Sequence, residues 1–309
     1  MLLDSKEMPS IKLHHLRYFV AIATQGSLHG AARLLGLAQP ALTRGLRELE
    51  SEVGASLVER HARGISLTDT GERFLVRATS VLEELRRAQE EAVQLKGQLT
   101  GHLAVGLSPV AQVMLLPRMF SSFSSANPDV RLHIVEGFFP TVRSKLNDGS
   151  LDFFVGPAPD RRPGPEFVVK QLWKSERIVA ARRGHPLAKC SSLRQLANCN
   201  WQIAGISERH DDEISGIFTS HGIPPPAHST IVTSLFTSLV LLNSTDALLV
   251  LPKLCLSSPL FKDVVIALPL KETISGPDIV QIRRTGTPLT PIAERFSEAI
   301  DRAVREFLR

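Results

Sequence analysis

Gln39, Thr43, Arg44 and Arg47 place an amide, a hydroxyl and two guanidinium groups close together in the chain, with the small apolar Ala41 among them. These are the groups that can bond base edges and phosphate oxygens of duplex DNA. Such chemistry needs all of them on one exposed face. Leu42, Leu46 and Leu49 recur at the spacing of a buried helical stripe, which turns the polar row outward. Gln39-Pro40 suits the start of that helix, since proline's fixed φ and missing N–H are tolerated there. Whether Ala38 or Gln39 is the cap stays open from the sequence.

The stretch GSLHGAARLLGLAQPALTRGLR, from Gly26 to Arg47, reads as two short helices joined by a tight apolar turn. Ser27 has a capping side chain, and Leu28, Ala31, Ala32 and Leu35 form one buried face. Gly36 ends the first helix, and Leu37 and Ala38 lead to the second. This is the plan of a helix-turn-helix, although periodicity alone does not separate it from a helical hairpin with solvated arginines. An earlier helix, Leu13 to Thr24, uses Leu16, Phe19, Val20 and Ala23 to cover the pair. After Gly54, the segment Ser56 to Thr68 reads as a hairpin bent at His61-Ala62-Arg63-Gly64, with Arg60 and Arg63 as candidates for phosphate or minor-groove contact.

At 309 residues the chain is too long for one ordinary core, and 43% hydrophobic residues suffice for several. The balance of 36 Lys plus Arg against 31 Asp plus Glu suits a polyanionic partner without demanding one. No apolar run reaches the roughly 20 residues of a spanning helix. The opening MLLDSKEMPSIK lacks an apolar core, so the expectation is a cytoplasmic protein without membrane association. Three scattered cysteines argue for reduced thiols over a disulfide framework.

The run HLRYFVAIATQGSLHGAARLLGLAQPALTRGLRELESEVGASLVERHARGISLTDTG resembles, almost position by position, the winged helix-turn-helix of the LysR-type transcriptional regulators. The matching positions are Ala31, Ala32, Gln39-Pro40-Ala41, Leu46, Leu49-Glu50, Gly54, Leu57, Arg60 and Leu67-Thr68 before Gly71. A weaker resemblance covers essentially the rest of the chain. It implies a multidomain protein: an N-terminal all-α winged helix-turn-helix (1–69), a linker helix that dimerises (70–97), and a C-terminal α/β effector domain (98–309) of the two-lobed, periplasmic-binding-protein-like kind. The hairpin becomes a wing along the flanking groove. On this reading Gln39 and Arg44 read bases, Pro40 and Ala41 sit beside them at the helix start, Thr43 and Arg47 contact bases or phosphates, and Ser27, His29 and Arg33 face the DNA backbone. Ala38 departs from the usual serine, Thr43 replaces a more frequent serine, and Gly45 is expected to weaken an exposed helix interior by roughly 0.5–1 kcal/mol.

From Thr70 to about Lys96, Phe74, Ala78, Val81, Leu85, Ala88, Ala92 and Leu95 are spaced by three or four residues along a helix of roughly 40 Å. Such a stripe needs a cover, and the same helix of a second chain is the expected one, giving a homodimer and, by pairing, a homotetramer. Twin readers then grip two half-sites. From His102, strands alternate with helices, which predicts parallel sheets with crossover helices. The first lobe is read as 101–168 and 269–309, the second as 169–268. Ligands in such sheets sit beyond strand carboxyl ends and at helix starts. That rule selects Ser108, Pro109, Phe139, Pro140, Thr141, Gly156 and Pro157 on one side, with Phe138 or Phe139 nearby, and Gly205, Ile206, Ser207, Thr233 and Ser234 on the other. Hydroxyls and helix starts suit a small anion or aromatic acid. The family pattern reinforces Ser108 and Thr141, and segments 108–117 and 151–156 look closest to the branch responding to aromatic sulfonates and sugars.

Two other readings compete. An enzyme would use a nucleophile near His185, His210 or His221, but no H-E-x-x-H, G-x-S-x-G or phosphate-loop pattern is present. No catalytic activity, cofactor or metal is therefore expected. A redox-sensing regulator would use Cys190 and Cys199, which loosely resemble the paired thiols of peroxide-sensing members. The expected partners are operator DNA, a small-molecule effector, further copies of the chain and, for an activator, RNA polymerase.

Overall fold

The computed structural model describes residues 11–61, 64–203 and 210–309. The chain divides into one unit running up to Ala92 together with Asn147–Ser150, and another of Val93–Leu146 and Leu151–Arg309.

In the first unit, α1 (Leu13–Gln25), α2 (Leu28–Leu35) and α3 (Gln39–Val53) precede a hairpin of β1 (Val58–His61) and β2 (Gly64–Leu67), and α4 (Asp69–Gln94) follows. Ser27 caps α2 by accepting from Gly30 N at 3.1 Å, and Gly36 ends it with φ 65°, a backbone region that side chains other than glycine's rarely adopt. Ala38 is the residue before α3, and its methyl offers no cap. Phe19, Ile22, Leu42, Leu46, Leu49 and Leu57 are fully buried together. Each such side chain contributes about 1.5–3 kcal/mol by leaving water. Phe74, Leu75, Ala78 and Leu82 of α4 join this core, with the Phe74 ring tilted at 57° against that of Phe19, 5.6 Å between centroids.

The apolar stripe expected along α4 is therefore divided. Phe74 and Ala78 face their own core, whereas Val81 and Leu95 are 49% and 73% exposed and Ala88 and Ala92 are also exposed. Val76 in the first half of the helix is 42% exposed as well, so the uncovered apolar surface runs beside the part given to the core, and Leu95 lies one residue past the end of α4.

The second unit begins with β3 (Gly101–Leu107), α5 (Pro109–Ala126), β4 (Val130–Glu136), α6 (Phe139–Asn147), β5 (Phe153–Pro157) and β6 (Phe167–Trp173). It continues through β7 (Glu176–Arg182), β8 (Trp201–Ile203), α7 (His210–Ser220), β9 (Ser229–Ile231), α8 (Leu235–Ser244), β10 (Leu248–Pro252), α9 (Pro259–Lys262), β11 (Val265–Ala267) and β12 (Ile274–Ser275). The last elements are β13 (Ile279–Arg284) and α10 (Pro291–Phe307). One sheet has the order β4-β3-β5-β13-β6, and the other has β11-β7-β10-β8-β9 with β12 paired to β7.

Neither sheet is wholly parallel. β3 runs parallel to β4 and β5, but β13 is antiparallel to β5 and β6. In the second sheet β8 is parallel to β9 and β10, but β7 is antiparallel to β10. The antiparallel strands are those by which the chain leaves one lobe and returns to it. Because β6 stays in the first sheet and β12 in the second, the crossings fall at 174–175 and 276–278 rather than at 168/169 and 268/269. β5 is buried on both faces, Phe153 toward a core shared by both lobes and Phe154 toward a second cluster with Phe139 and Phe167.

Candidate functional site

Two surfaces carry the candidate residues. On α3, Gln39, Pro40, Ala41, Arg44 and Arg47 are exposed and Thr43 is half-buried, while Leu42, Leu46 and Leu49 face inward. Gln39, Pro40, Thr43, Arg44 and Arg47 line one shallow depression of the surface. Neither Arg44 nor Arg47 has an ion-pair or hydrogen-bond partner among the described residues, so both guanidinium groups are available to an anion. His29 and Arg33 on α2 and Arg60 on β1 are exposed as well. Ser27 uses an oxygen lone pair on Gly30 N. Its O–H remains a donor. Arg63 lies outside the described residues.

Other matched positions hold this face in place. Glu50 Oε1 accepts from Leu57 N at 2.8 Å and Val58 N at 3.3 Å, fixing the hairpin to α3. Thr68 Oγ1 donates to Ser56 O and accepts from Gly71 N, at 2.8 and 2.9 Å, which joins the hairpin to α4. Ile65 N donates to Gly26 O at 2.9 Å, tying the hairpin to the turn before α2.

Gly45 is not in an exposed helix interior. It is buried, and a Cβ there would lie 2.5 Å from Tyr18 Cδ2 and 3.2 Å from His15 Cδ2, so α1 and α3 meet too closely for a side chain. His15, with only 3% of its side chain exposed, has Nε2 3.3 Å from Glu48 Oε2 and no hydrogen-bond partner at Nδ1 among the described residues. Burial lowers the His15 pKa, and neighbouring His14 lowers it further, against opposing pulls from Glu48 and Glu52. An unfolded imidazole titrates near about pH 6.5. As pH falls through that value, the unfolded chain gains a proton that folded His15 resists, so the unfolded state binds more protons and stability drops. Thermal melts between about pH 7 and pH 5 should show this slope, and His15→Asn should reduce it; an unchanged slope refutes the assignment.

The second surface is a cavity of about 70 Å³ between the two lobes. Pro109, Val110 and Val113 of α5, Phe138 and Pro157 supply its first wall, and Thr233, Ser234, Leu235 and Ser238 at the start of α8 supply part of the second. Leu249, Val250, Leu251, Cys255 and Phe261 also line it. Burial pushes the Cys255 thiol up to about 12, which keeps it protonated. Ser234 caps α8 by accepting from Thr237 N at 3.5 Å.

Of the residues expected at an effector site, Pro109, Pro157, Phe138, Thr233 and Ser234 line this cavity. Gly205, Ile206 and Ser207 lie outside the described residues. The others serve elsewhere. Ser108 is fully buried and accepts from Ala111 N at 3.3 Å as the cap of α5. Phe139 points to the opposite cluster, 5.3 Å from the ring of Phe167, because α6 packs its apolar face on that side of the sheet. Pro140 is half-buried in the first turn of α6, and Thr141 is exposed with its hydroxyl spent on Phe138 N and O at 3.2 and 2.8 Å. Gly156 is a packing glycine, since a Cβ would lie 2.3 Å from Phe154 Cζ and 2.8 Å from Ser108 Cβ.

Sequence reasoning missed Arg177, which lines the cavity from β7. Its Nη1 lies 2.6 Å from Glu213 Oε1 and its Nε donates to Ser275 O at 2.9 Å. Burial lowers the Arg177 pKa against the pull of Glu213, and burial raises that of Glu213 against the pull of Arg177. The one local signal was a charged residue inside the apolar strand ERIVAARR.

The competing sites are differently built. His185 is buried, with Nδ1 accepting from Leu187 N at 3.0 Å and Nε2 3.0 Å from Asp246 O, so both ring nitrogens are engaged. His221 is bonded through Nδ1 to Ile217 O at 2.9 Å, and the side chain of His210 is outside the description. Cys190 is buried and donates to Gln195 Oε1 at 3.1 Å. Burial, then the nearby Cys190, raises the Cys199 pKa, opposite to the activated thiolate of a redox sensor. Among the described residues no helix is long and apolar enough to cross a membrane.

A helix-turn-helix with an exposed polar row, a hairpin beside it and a separate two-lobed α/β unit define a ligand-responsive DNA-binding protein. Residues 13–72 match the family described as bacterial regulatory helix-turn-helix protein, lysR family, and residues 96–305 match the LysR substrate binding domain. The chain belongs to the LysR family of transcriptional regulators, which are not enzymes. It is 28% identical over 289 residues to the HTH-type transcriptional regulator PcaQ of Agrobacterium fabrum, covering 92% of each chain. A variant of full-length OxyR from Pseudomonas aeruginosa matches with a TM-score of 0.69 at 24% identity, over 95% of this chain and 94% of that one. Full-length CbnR in complex with its target DNA matches with a TM-score of 0.67 at 23% identity, over 94% and 99%. At these identities the two structures show the shared fold.

Proposed function

We propose that the chain acts in the cytoplasm as a homodimer joined through α4, with dimers pairing into a homotetramer, and binds an interrupted two-fold operator. Gln39 and Arg44 read base edges, Thr43 and Arg47 contact bases or phosphates, and Pro40 and Ala41 bring the helix start close to the groove. Ser27, His29, Arg33 and Arg60 contact the DNA backbone. The carrying observation is the exposed row on α3, with two guanidinium groups that are unpaired among the described residues, above a fully buried leucine stripe. Exposed Val81, Ala88 and Ala92 are the natural seam for a second α4.

A small molecule held between the lobes changes their relative orientation, and with it the spacing of the paired readers and the bend of the operator. Where the protein activates, it contacts RNA polymerase. Binding of the purified chain to duplex from its own upstream region, against a scrambled duplex of equal composition, tests the reading. A clear preference that changes with a small molecule is expected. No preference, with or without a metabolite panel, refutes it.

A further inference from the structure

We infer that Arg177 anchors an acidic group in the interlobe cavity, so that the cleft selects a small carboxylate or sulfonate with an apolar body. The inference rests on the effector reading above and adds the residue and the chemistry of recognition. Among the described residues lining the cavity, Arg177 is the one cation, and most of the wall is aliphatic, aromatic or proline. An apolar wall with few convergent polar groups orients a ligand by those groups.

The guanidinium is already held. Its Nε donates to Ser275 O at 2.9 Å and its Nη1 to Glu213 Oε1 at 2.6 Å, while Nη2 has no partner among the described residues. Only 12% of the Arg177 side chain and 10% of the Glu213 side chain are exposed, and Glu213 Oε2 is buried without a partner among the described residues. A planar fork fixed at two nitrogens loses little freedom when the third binds an oxyanion, and against a mostly apolar wall such a charge-assisted bond is strengthened. Glu213 offsets the formal charge of Arg177. The start of α8 at Thr233 and Ser234 adds the positive end of a helix to the same cavity.

The stem of Arg177 is constrained too. At Gly276, in the crossing that returns to the first lobe, a Cβ would lie 2.8 Å from Arg177 Cγ and 3.0 Å from Ser175 O. The anchor therefore lies against both crossings between lobes, where a bound acid bears on their relative orientation. A cavity of about 70 Å³ is small beside the roughly 300–1,000 Å³ of sites for drug-sized ligands, so the body is a short chain or a single ring.

The test uses the full chain with benzoate, butyrate and benzenesulfonate, each beside its neutral amide, read by calorimetry and thermal shift. Acids should bind about 10- to 100-fold more tightly than their amides, the range of a charge-assisted hydrogen bond. The double substitution Arg177→Met with Glu213→Gln leaves no buried charge unpaired and should fold. It should abolish the acid preference, and the single substitution Arg177→Lys should retain it only in part, because a point charge replaces the fork. Amides binding as well as acids in the unmodified chain, or an acid preference surviving the double substitution, overturns the inference and leaves the effector reading standing. If no compound of either kind shifts the melt or the operator complex, the effector reading falls and the anchor with it.

Discussion

Arg44→Ala is expected to remove discrimination between operator and random duplex while leaving the fold intact. Arg44 is exposed on α3 and makes no ion pair or hydrogen bond among the described residues, so truncation opens no cavity and leaves nothing unpaired. Alanine also favours helix at least as well as arginine, and stability should change by no more than about 0.5 kcal/mol. A good side-chain contact to a base edge discriminates by about 1–3 kcal/mol, roughly 5- to 150-fold per half-site, and a two-fold dimer loses it twice. Arg47→Ala supplies the contrast: as a phosphate contact it should weaken binding evenly across sequences and reduce the salt slope by about 1. Gel shifts at several salt concentrations, with a melt of each variant, separate the two roles. Full sequence discrimination in the Arg44 variant refutes its assignment as a base reader.

The parts of the fold that were legible in sequence are those fixed by near neighbours. The Ser27 cap reaches three residues to Gly30 N, and the leucine stripe of α3 repeats within one helix, so both are written locally. β6 was not legible, because FVVKQLW shows a buried first and last residue around a mostly exposed middle instead of alternation. Its place beside β13 is set by pairing Phe167 with Arg284, far along the chain. The same holds for function. Arg177 becomes a cavity residue only when Glu213 and Ser275 close on it from α7 and β12, whereas Phe139 sits one residue from the cavity-lining Phe138 and faces the other way. Gly45 reads as an exposed defect until α1 is laid across it.

Gly71→Ala is expected to be the most damaging conservative change in the N-terminal unit. Helix propensity alone predicts the opposite, since alanine in α4 favours helix by about 1 kcal/mol over glycine. Sterics decide the sign: a Cβ at Gly71 would lie 2.0 Å from Leu57 O and 2.9 Å from Leu57 C. Leu57 cannot yield, because its N is bonded to Glu50 Oε1 at 2.8 Å, its O to Thr68 N at 3.1 Å, and its side chain is fully buried. Relief requires α4 to lift from the hairpin, which breaks the Thr68 links and uncovers Phe74. Overpacking against fixed backbone costs roughly 3 kcal/mol or more, a fall in melting temperature of about 15 °C for a unit of this size. Gly216→Ala in α7 is the control: nothing lies within 4 Å of a Cβ there, so propensity acts alone and the change should stabilise slightly. The Gly71 variant should also lose operator and random duplex together, unlike the Arg44 variant, because the reader and hairpin are displaced as a body. A Gly71 variant that melts like the parent and binds operator normally would show that the hairpin and α4 are free to move apart, and that the buried junction at Leu57 does not position the reading helix.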